Sequence, residues 1–198
     1  MQTYSHFLMT AAIQQPLQRR GIPVRAPWFL LGSVAPDLPF LLLTLVYEAY
    51  FLWISPLAPG QTATSIMEYL HFDLFFRDPI WIVGHNFLHA PLVLLLMAGG
   101  GWALHKRGNP WGARLLWFAL GAGLHTLMDI GTHHSDGPLI LFPFSLTYRF
   151  ASPISYWETA YYSRIFAPLE MALDGVLLVH LFWRRRRRLT ALLRSFAH

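Results

Sequence analysis

Cysteine is absent from this 198-residue chain, and charged residues are scarce. Without cysteine the chain can form no disulfide, thiolate nucleophile, iron–sulfur cluster or Cys-ligated zinc site. Charged residues make up 13% of the chain, about half the share of a typical soluble domain, whereas hydrophobic residues make up 55%. Together with a mean hydropathy of +0.38, this composition excludes a disordered chain and indicates a membrane protein.

Lysine is nearly absent as well, since Lys106 is the only one and arginine supplies the rest of the net charge of +5. Five arginines form the run at residues 184–188, directly after an apolar segment. This pattern is typical of a membrane stop that contacts anionic lipid headgroups. We therefore expect the protein to associate with the lipid bilayer and not with nucleic acid. Residues 1–18 contain no Lys or Arg, so we expect no cleavable signal peptide.

Four apolar segments approach or exceed the length of about 20 residues that a membrane-spanning helix needs. They cover residues 28–55, 80–104, 111–133 and 164–183, and prolines interrupt the first of them around Asp37. A helix is predicted over residues 2–20, and loops over residues 56–79 and 134–163. The fold class predicted is all-α: a polytopic membrane helical bundle of about four transmembrane helices plus an N-terminal helix. Residues 1–198 form one domain, with a metal site between the helices.

The distribution of basic residues predicts the orientation of this bundle. If both termini are cytoplasmic, twelve of the fifteen Lys and Arg residues fall on the inner side. Basic residues favour the cytoplasmic side of a membrane. The sequence therefore predicts a multi-pass protein of the bacterial inner membrane with cytoplasmic N- and C-termini.

Ionisable side chains within apolar segments are costly, so each of them indicates a functional site. In the second, third and fourth apolar segments, these ionisable residues lie four positions apart. This spacing places them on one face of each helix. The full set is His85, His89, His125, Asp129, His133, Glu170 and Asp174, together with Asp37 at the proline break and His6 in the N-terminal helix. Interleaved imidazoles and carboxylates are the ligands of a site for two or three metal ions. Zinc is the expected ion, with Mn²⁺ and Fe²⁺ as alternatives.

Other residues near these segments have predicted roles of their own. Asp37 is predicted to be a bridging ligand or catalytic base, because the proline break frees its carboxylate. Arg149 and Arg164 are the candidates for binding a phosphate, although a surface role is the favoured interpretation of each. His134 and Asp136 are either ligands or residues that order the loop. The aromatic residues of the loop, Tyr156, Trp157, Tyr161 and Tyr162, are interpreted as an interfacial belt rather than a substrate rim.

Several segments resemble a known family. They are Ser-His at 5–6, Gly-Ser-Val-Ala-Pro-Asp at 32–37, His-Asn-Phe-Leu-His at 85–89, Gly-Leu-His-Thr-Leu-Met-Asp at 123–129, Gly-Thr-His-His-Ser-Asp-Gly-Pro at 131–138 and Phe-Pro-Phe-Ser at 142–145. In this order they resemble bacterial inner-membrane proteins described as membrane-bound metal-dependent hydrolases. A more distant similarity is to the zinc-dependent phospholipase C and single-strand nuclease superfamily, whose members are all-helical enzymes with a trinuclear zinc site.

The resemblance implies a ligand order and an activity. In this chain the implied metal ligands, in that order, are His6, Asp37, His85 or His89, His125 with Asp129, His133 or His134, and Glu170 with Asp174. Two positions depart from the superfamily: the chain keeps Met1, and Glu170 stands where the superfamily has a histidine. The implied activity is hydrolysis of a phosphoester, with a phospholipid among the candidate substrates. Two other hypotheses stay open, a metal carrier or sensor and a membrane scaffold with a structural metal.

Overall fold

The computed structural model describes residues 1–56 and 62–195, except for the side chains of Ala63 and of residues 187–195. In chain order the α-helices of these residues are α1 (Thr3–Arg19), α2 (Ala26–Gly32), α3 (Leu38–Trp53), α4 (Ala63–Tyr69), α5 (Phe75–Arg77), α6 (Pro79–Phe87), α7 (Pro91–Lys106), α8 (Pro110–Thr132) and α9 (Ser163–Ser195). A 3-10 helix (Ala35–Asp37) leads into α3, a π-helix (Leu70–Leu74) joins α4 to α5, and a 3-10 helix (Thr159–Tyr161) precedes α9. No strand occurs within the described residues, which confirms the all-α prediction.

Three helical segments of the described chain are long and apolar enough to cross a membrane: Ala35–Trp53, Pro110–Thr132 and Ser163–Arg186. A fourth span is formed if α6 and α7, which meet at an angle of 46°, count as one broken helix. The prediction of about four spans agrees with this. The helix predicted over residues 2–20 is α1, and the predicted loop between the last two spans contains only the short 3-10 helix.

Two sequence predictions need correction. The sequence predicts one spanning helix over residues 28–55, with a kink or an unwound start near Asp37. The break is present, but it separates two elements, because the chain turns between α2 and the 3-10 helix and the span begins only at Ala35. Residues 56–79 are not a plain loop, because α4, the π-helix and α5 occupy residues 63–77. Their aromatic and aliphatic side chains pack against α3 around the fully buried Trp81. Burial of this apolar face explains why helices form where charged residues suggested a loop.

Proline and capping side chains decide where many of the helices begin. Pro79, Pro91 and Pro110 are the first residues of α6, α7 and α8. Proline is tolerated at a first helical position because its missing N–H would have no intrahelical partner there. Asp78 accepts hydrogen bonds from two first-turn amides of α6, and Asn109 accepts one at the start of α8. These local signals divide the apolar segments and create the breaks that carry the site.

Basic residues gather at one end of the helices. Arg114 of α8 packs over the ring of Trp111, whose edge meets Trp28 at the start of α2. Arg184 of α9 donates a hydrogen bond to Gln15 near the end of α1. The turn between α7 and α8 adds two further basic residues to this region, which we call the basic end. The predicted orientation would place this basic end in the cytoplasm. Met1, however, lies at the opposite end of α1, where its amine contacts Asp129. The orientation of the termini therefore stays a prediction, and the position of Met1 does not match a cytoplasmic N-terminus.

The predicted orientation leads to a labelling experiment that the absence of native cysteine makes clean. Lys106→Cys lies at the basic end, and Phe144→Cys lies in the segment between α8 and α9, where Phe144 is 86% exposed. We expect a membrane-impermeant maleimide to label Phe144→Cys in spheroplasts and Lys106→Cys only in inverted vesicles. Labelling of both variants from the same side would contradict the predicted topology.

Candidate metal centre

Two helix breaks and one face of α8 bring four residues together. Asp37 is the last residue of the 3-10 helix that leads into α3, His89 lies between α6 and α7, and α8 contributes His125 and Asp129. One ligand atom from each residue lies within 4.8 Å of those of the other three. His89, His125 and Asp129 are buried, whereas the side chain of Asp37 is 23% exposed. We call this set the four-residue group, and it could hold a metal ion.

The four residues face one another through ring nitrogens and carboxylate oxygens. The Nε2 atoms of His89 and His125 are 3.1 Å apart. His125 Nε2 lies 3.0 Å from Asp129 Oδ2 and 3.4 Å from Asp37 Oδ1. His89 Nε2 lies 3.6 Å from each of the same two oxygens. The geometry thus converges four potential ligand atoms on one small volume.

The opposite nitrogen of each ring contacts a backbone carbonyl at the end of a short helix. His125 Nδ1 lies 2.8 Å from the carbonyl oxygen of Ser33, and His89 Nδ1 lies 2.6 Å from that of His85. A carbonyl only accepts, so each Nδ1 carries a proton and the Nε2 of a neutral ring is left as an acceptor. Four acceptors then face one another, and only a cation can hold them there. A proton on one ring or a metal ion satisfies this requirement, and the carbonyl contacts are those that orient histidine ligands.

Asp129 extends the arrangement beyond the four-residue group through its second oxygen. His6 Nε2 lies 3.0 Å from Asp129 Oδ1, the Met1 amine donates to it at 2.9 Å, and His133 Nδ1 lies 3.6 Å away. The His6 ring also stacks on His125 with a centroid distance of 3.7 Å. Burial lowers the pKa of His6, which favours the neutral ring that a metal needs. Through its second oxygen, Asp129 therefore links His6, His133 and the Met1 amine to the four-residue group.

A cavity of about 440 Å³ adjoins the four-residue group. Asp37 and Asp129 belong to its wall, and so do His85 and His133, which the sequence predicted as ligands. Tyr156 lines the same cavity, and burial together with the nearby carboxylates raises the pKa of its hydroxyl. This hydroxyl therefore stays protonated and can donate a hydrogen bond to a ligand.

A second cavity of about 440 Å³ shares part of its wall with the first. Phe72, Phe76 and Trp157 line only this second cavity, whereas His71 and Tyr156 line both. The interpretation of the loop aromatics as a membrane belt is therefore incomplete, because two of them form cavity wall. His71 had no predicted role, since no spacing pattern links it to the predicted ligands. Only the packing of the π-helix against α3 brings it there.

Glu170 and Asp174, which the sequence predicted as metal ligands, are engaged by the start of α1. Glu170 Oε1 accepts a hydrogen bond from the backbone N–H of Gln2 at 2.8 Å. Asp174 Oδ2 accepts one from the hydroxyl of Ser5 at 2.7 Å. Both carboxylates are buried, and neither belongs to the four-residue group. Their role as ligands stays a prediction.

The two arginines that are the candidates for binding a phosphate lie apart from the described cavity walls. Arg149 packs over the rings of Phe75 and Phe76, with distances of 5.1 and 5.3 Å to the ring centroids. Its guanidinium donates to the carbonyl of Gly137, and burial lowers its pKa to about 10. Arg164 is exposed in the first turn of α9. A phosphate contact from either side chain stays a prediction.

His134 and Asp136 make contacts within the segment between α8 and α9. His134 stacks on Tyr161 with a centroid distance of 3.4 Å, and its Nδ1 lies 2.7 Å from the carbonyl oxygen of Ser152. Asp136 Oδ2 accepts a hydrogen bond of 2.9 Å from the Trp157 ring N–H, and Asp136 also lines both cavities. These contacts match the alternative in which the two residues order the loop.

Comparison with known proteins gives one match, to a family of bacterial membrane proteins. No curated protein and no solved structure matches the chain. The family model of the YdjM inner membrane proteins matches residues 1–197. This agrees with the candidate spans and with the predicted inner-membrane location. Because the match extends over almost the whole chain, the protein belongs to the YdjM inner membrane protein family.

Proposed function

We propose that the protein is a membrane-embedded metal-dependent hydrolase and that its substrate is a phosphoester. The supporting observation is that two members of the four-residue group lie in a cavity wall. Catalytic metal sites keep a coordination position open to water or substrate, whereas structural sites are closed. Asp37 and Asp129 belong both to the group and to the wall of the cavity of about 440 Å³. A small substrate therefore has room beside the ligands.

The residues present fit divalent ions. Asp37, His89, His125 and Asp129 would hold one ion, and Asp129 Oδ1 with His6 would hold a second. Nitrogen and oxygen ligands without sulfur suit zinc, manganese or iron, with zinc expected first. A divalent ion supplies Lewis-acid chemistry that activates water and neutralises charge on a phosphoryl group.

The chain itself supplies a base and a hydrogen-bond donor. One oxygen of Asp37 belongs to the four-residue group. Its other oxygen accepts a hydrogen bond of 2.6 Å from the hydroxyl of Thr3. Its partial exposure to the cavity suits a base that takes a proton from water. The Tyr156 hydroxyl is a donor for a substrate oxygen. The wall carries the carboxylates of Asp37, Asp129 and Asp136 and no Lys or Arg side chain. A bound metal ion would offset their negative charge and so favour an anionic phosphoester.

A non-catalytic metal-binding protein is the second candidate, and one observation favours it. The four-residue group already offers four ligand atoms, the number that fills the tetrahedral shell of a structural zinc ion. In that case the cavity would serve no reaction. Metal content alone does not separate the two functions, but turnover does.

Asp37→Asn is the variant that tests the hydrolase proposal. Protein purified in detergent and loaded with zinc is assayed on generic phosphodiesters and phospholipids. We expect wild-type turnover and a decrease of at least about 100-fold in Asp37→Asn, the range for a lost general base. Glu68→Gln, an exposed carboxylate change on α4, is the control and should leave turnover unchanged. Metal-loaded wild type that hydrolyses none of these substrates would favour the non-catalytic alternative.

A further inference from the structure

Two buried carboxylates interrupt the otherwise exposed apolar surface of α9. Glu170 and Asp174 are 5% and 4% exposed, whereas their neighbours Leu169, Met171 and Leu173 are 42–67% exposed. In a membrane, these exposed side chains would face lipid, where an unpaired carboxylate is strongly unfavourable. The two carboxylates therefore need specific partners within the protein.

The start of α1 provides those partners. Gln2 precedes the first turn of α1, where backbone N–H groups lack intrahelical acceptors, and its N–H donates to Glu170. The hydroxyl of Ser5, one turn on, donates to Asp174. A helix N-terminus also carries partial positive charge, which favours nearby carboxylates. At the basic end, Arg184 of α9 contacts Gln15 of α1. The contacts follow the same order along both helices, so α1 and α9 lie parallel.

The same turn of α1 carries the groups that reach the metal centre. His6 follows Ser5 directly, and its ring stacks on His125 and approaches Asp129. A shift of α1 along α9 would withdraw this ring from Asp129. The two carboxylates thus fix the register that presents His6 to the site.

We propose that Glu170 and Asp174 are positioning residues that hold α1 in place and do not bind the metal themselves. The contact between α9 and α1 does not depend on the proposed function. Only the purpose of placing His6, which is to serve the metal site, rests on it. One observation points the other way, since Asp174 Oδ1 is buried without a hydrogen-bond partner in the described residues. The experiment must therefore separate a positioning role from a ligand role.

Isosteric variants make this separation. Glu170→Gln and Asp174→Asn each keep a carbonyl oxygen that can accept from α1, but they lose the charge that a metal ligand supplies. We expect both to keep wild-type metal content. Glu170→Ala and Asp174→Ala lose the acceptor and should weaken metal affinity by about 10-fold, as changes in groups that orient ligands do. Metal loss in the Gln and Asn variants as large as in Asp129→Asn would overturn the proposal.

The position of α1 can also be measured without metal or turnover. The absence of native cysteine allows one spin label at Phe7→Cys, a 40% exposed site on α1. We expect the label to become more mobile in the Glu170→Ala and Asp174→Ala backgrounds and to stay immobile in the Gln and Asn backgrounds. His180→Ala, an exposed change on α9, is the control. An immobile label in a folded Glu170→Ala/Asp174→Ala variant would overturn the proposal, even if the protein proves to be no hydrolase.

Discussion

Replacement of Asp129 by asparagine is expected to remove most of the bound divalent metal. The two oxygens of Asp129 face both parts of the centre, with His125 on one side and His6 on the other. An amide keeps the shape but loses the negative charge that both sets of neighbours share. We expect metal affinity to fall by more than about 100-fold, beyond the range for residues that only orient ligands. His125→Ala should have an effect of the same order.

Metal per protein, measured by mass spectrometry on detergent-purified samples, checks this expectation. His105→Ala is the matched control for the histidine change. His105 is exposed at the end of α7, beside the start of α8, whereas the site lies at the opposite ends of these two helices. Wild-type metal content in the His125→Ala/Asp129→Asn double variant would refute the assignment of the site. In that case a shared proton, rather than a metal, would hold the four acceptors together.

Helical spacing predicted which side chains share a face, but it did not predict what each face meets. On α8 the spacing was informative, because His125 and Asp129 lie in the same group. The pair His85 and His89 shows the limit of the pattern. The helix ends at Phe87, so His89 enters the four-residue group while His85 supplies the carbonyl that orients it. Proline predicts that a helix breaks, but the direction of the following helix depends on packing.

The contacts of α1 were the least predictable from sequence. Gln2 and Ser5 belong to no ligand motif, and their partners lie about 170 residues away in the chain. The spacing of Glu170 and Asp174 indicated a polar face on α9. That spacing and the ligand order of the resembled superfamily led to the prediction that both residues bind metal, with orientation of a histidine as the alternative for Asp174. The role of Asp37 was easier to predict, since the prolines around it indicated a break that frees its carboxylate. Its place in the four-residue group agrees with that interpretation.

Glycine explains how α2 approaches α8 closely enough to serve the site. A Cβ atom added at Gly121 would lie 2.1 Å from the carbonyl oxygen of Phe29 and 3.1 Å from the amide nitrogen of Ser33. Both neighbours are backbone atoms, which cannot move aside as a flexible side chain can. The Ser33 carbonyl is also the group that contacts His125 Nδ1. Close packing of two helices and orientation of a candidate ligand therefore depend on the same glycine.

Gly121→Ala is accordingly expected to damage both stability and metal binding. Overpacking of this kind costs about 1–3 kcal/mol, and at this chain length each kcal/mol lowers Tm by about 2–4 °C. Displacement of α2 would also move the Ser33 carbonyl from His125, so we expect metal affinity to fall by about 10-fold. Thermal unfolding in detergent and metal titration measure the two effects on the same sample.

Gly123→Ala is the matched control, because it lies two residues further along α8 and its added Cβ would meet no atom within 4 Å. Alanine favours a helix over glycine by up to about 1 kcal/mol, so this variant should be as stable as wild type or more so. Its metal affinity should not change, since the contact between α2 and His125 stays intact. Equal Tm and equal metal affinity in the two alanine variants would show that α2 does not pack on Gly121 as described. The carbonyl of Ser33 would then have no part in holding His125 toward the metal.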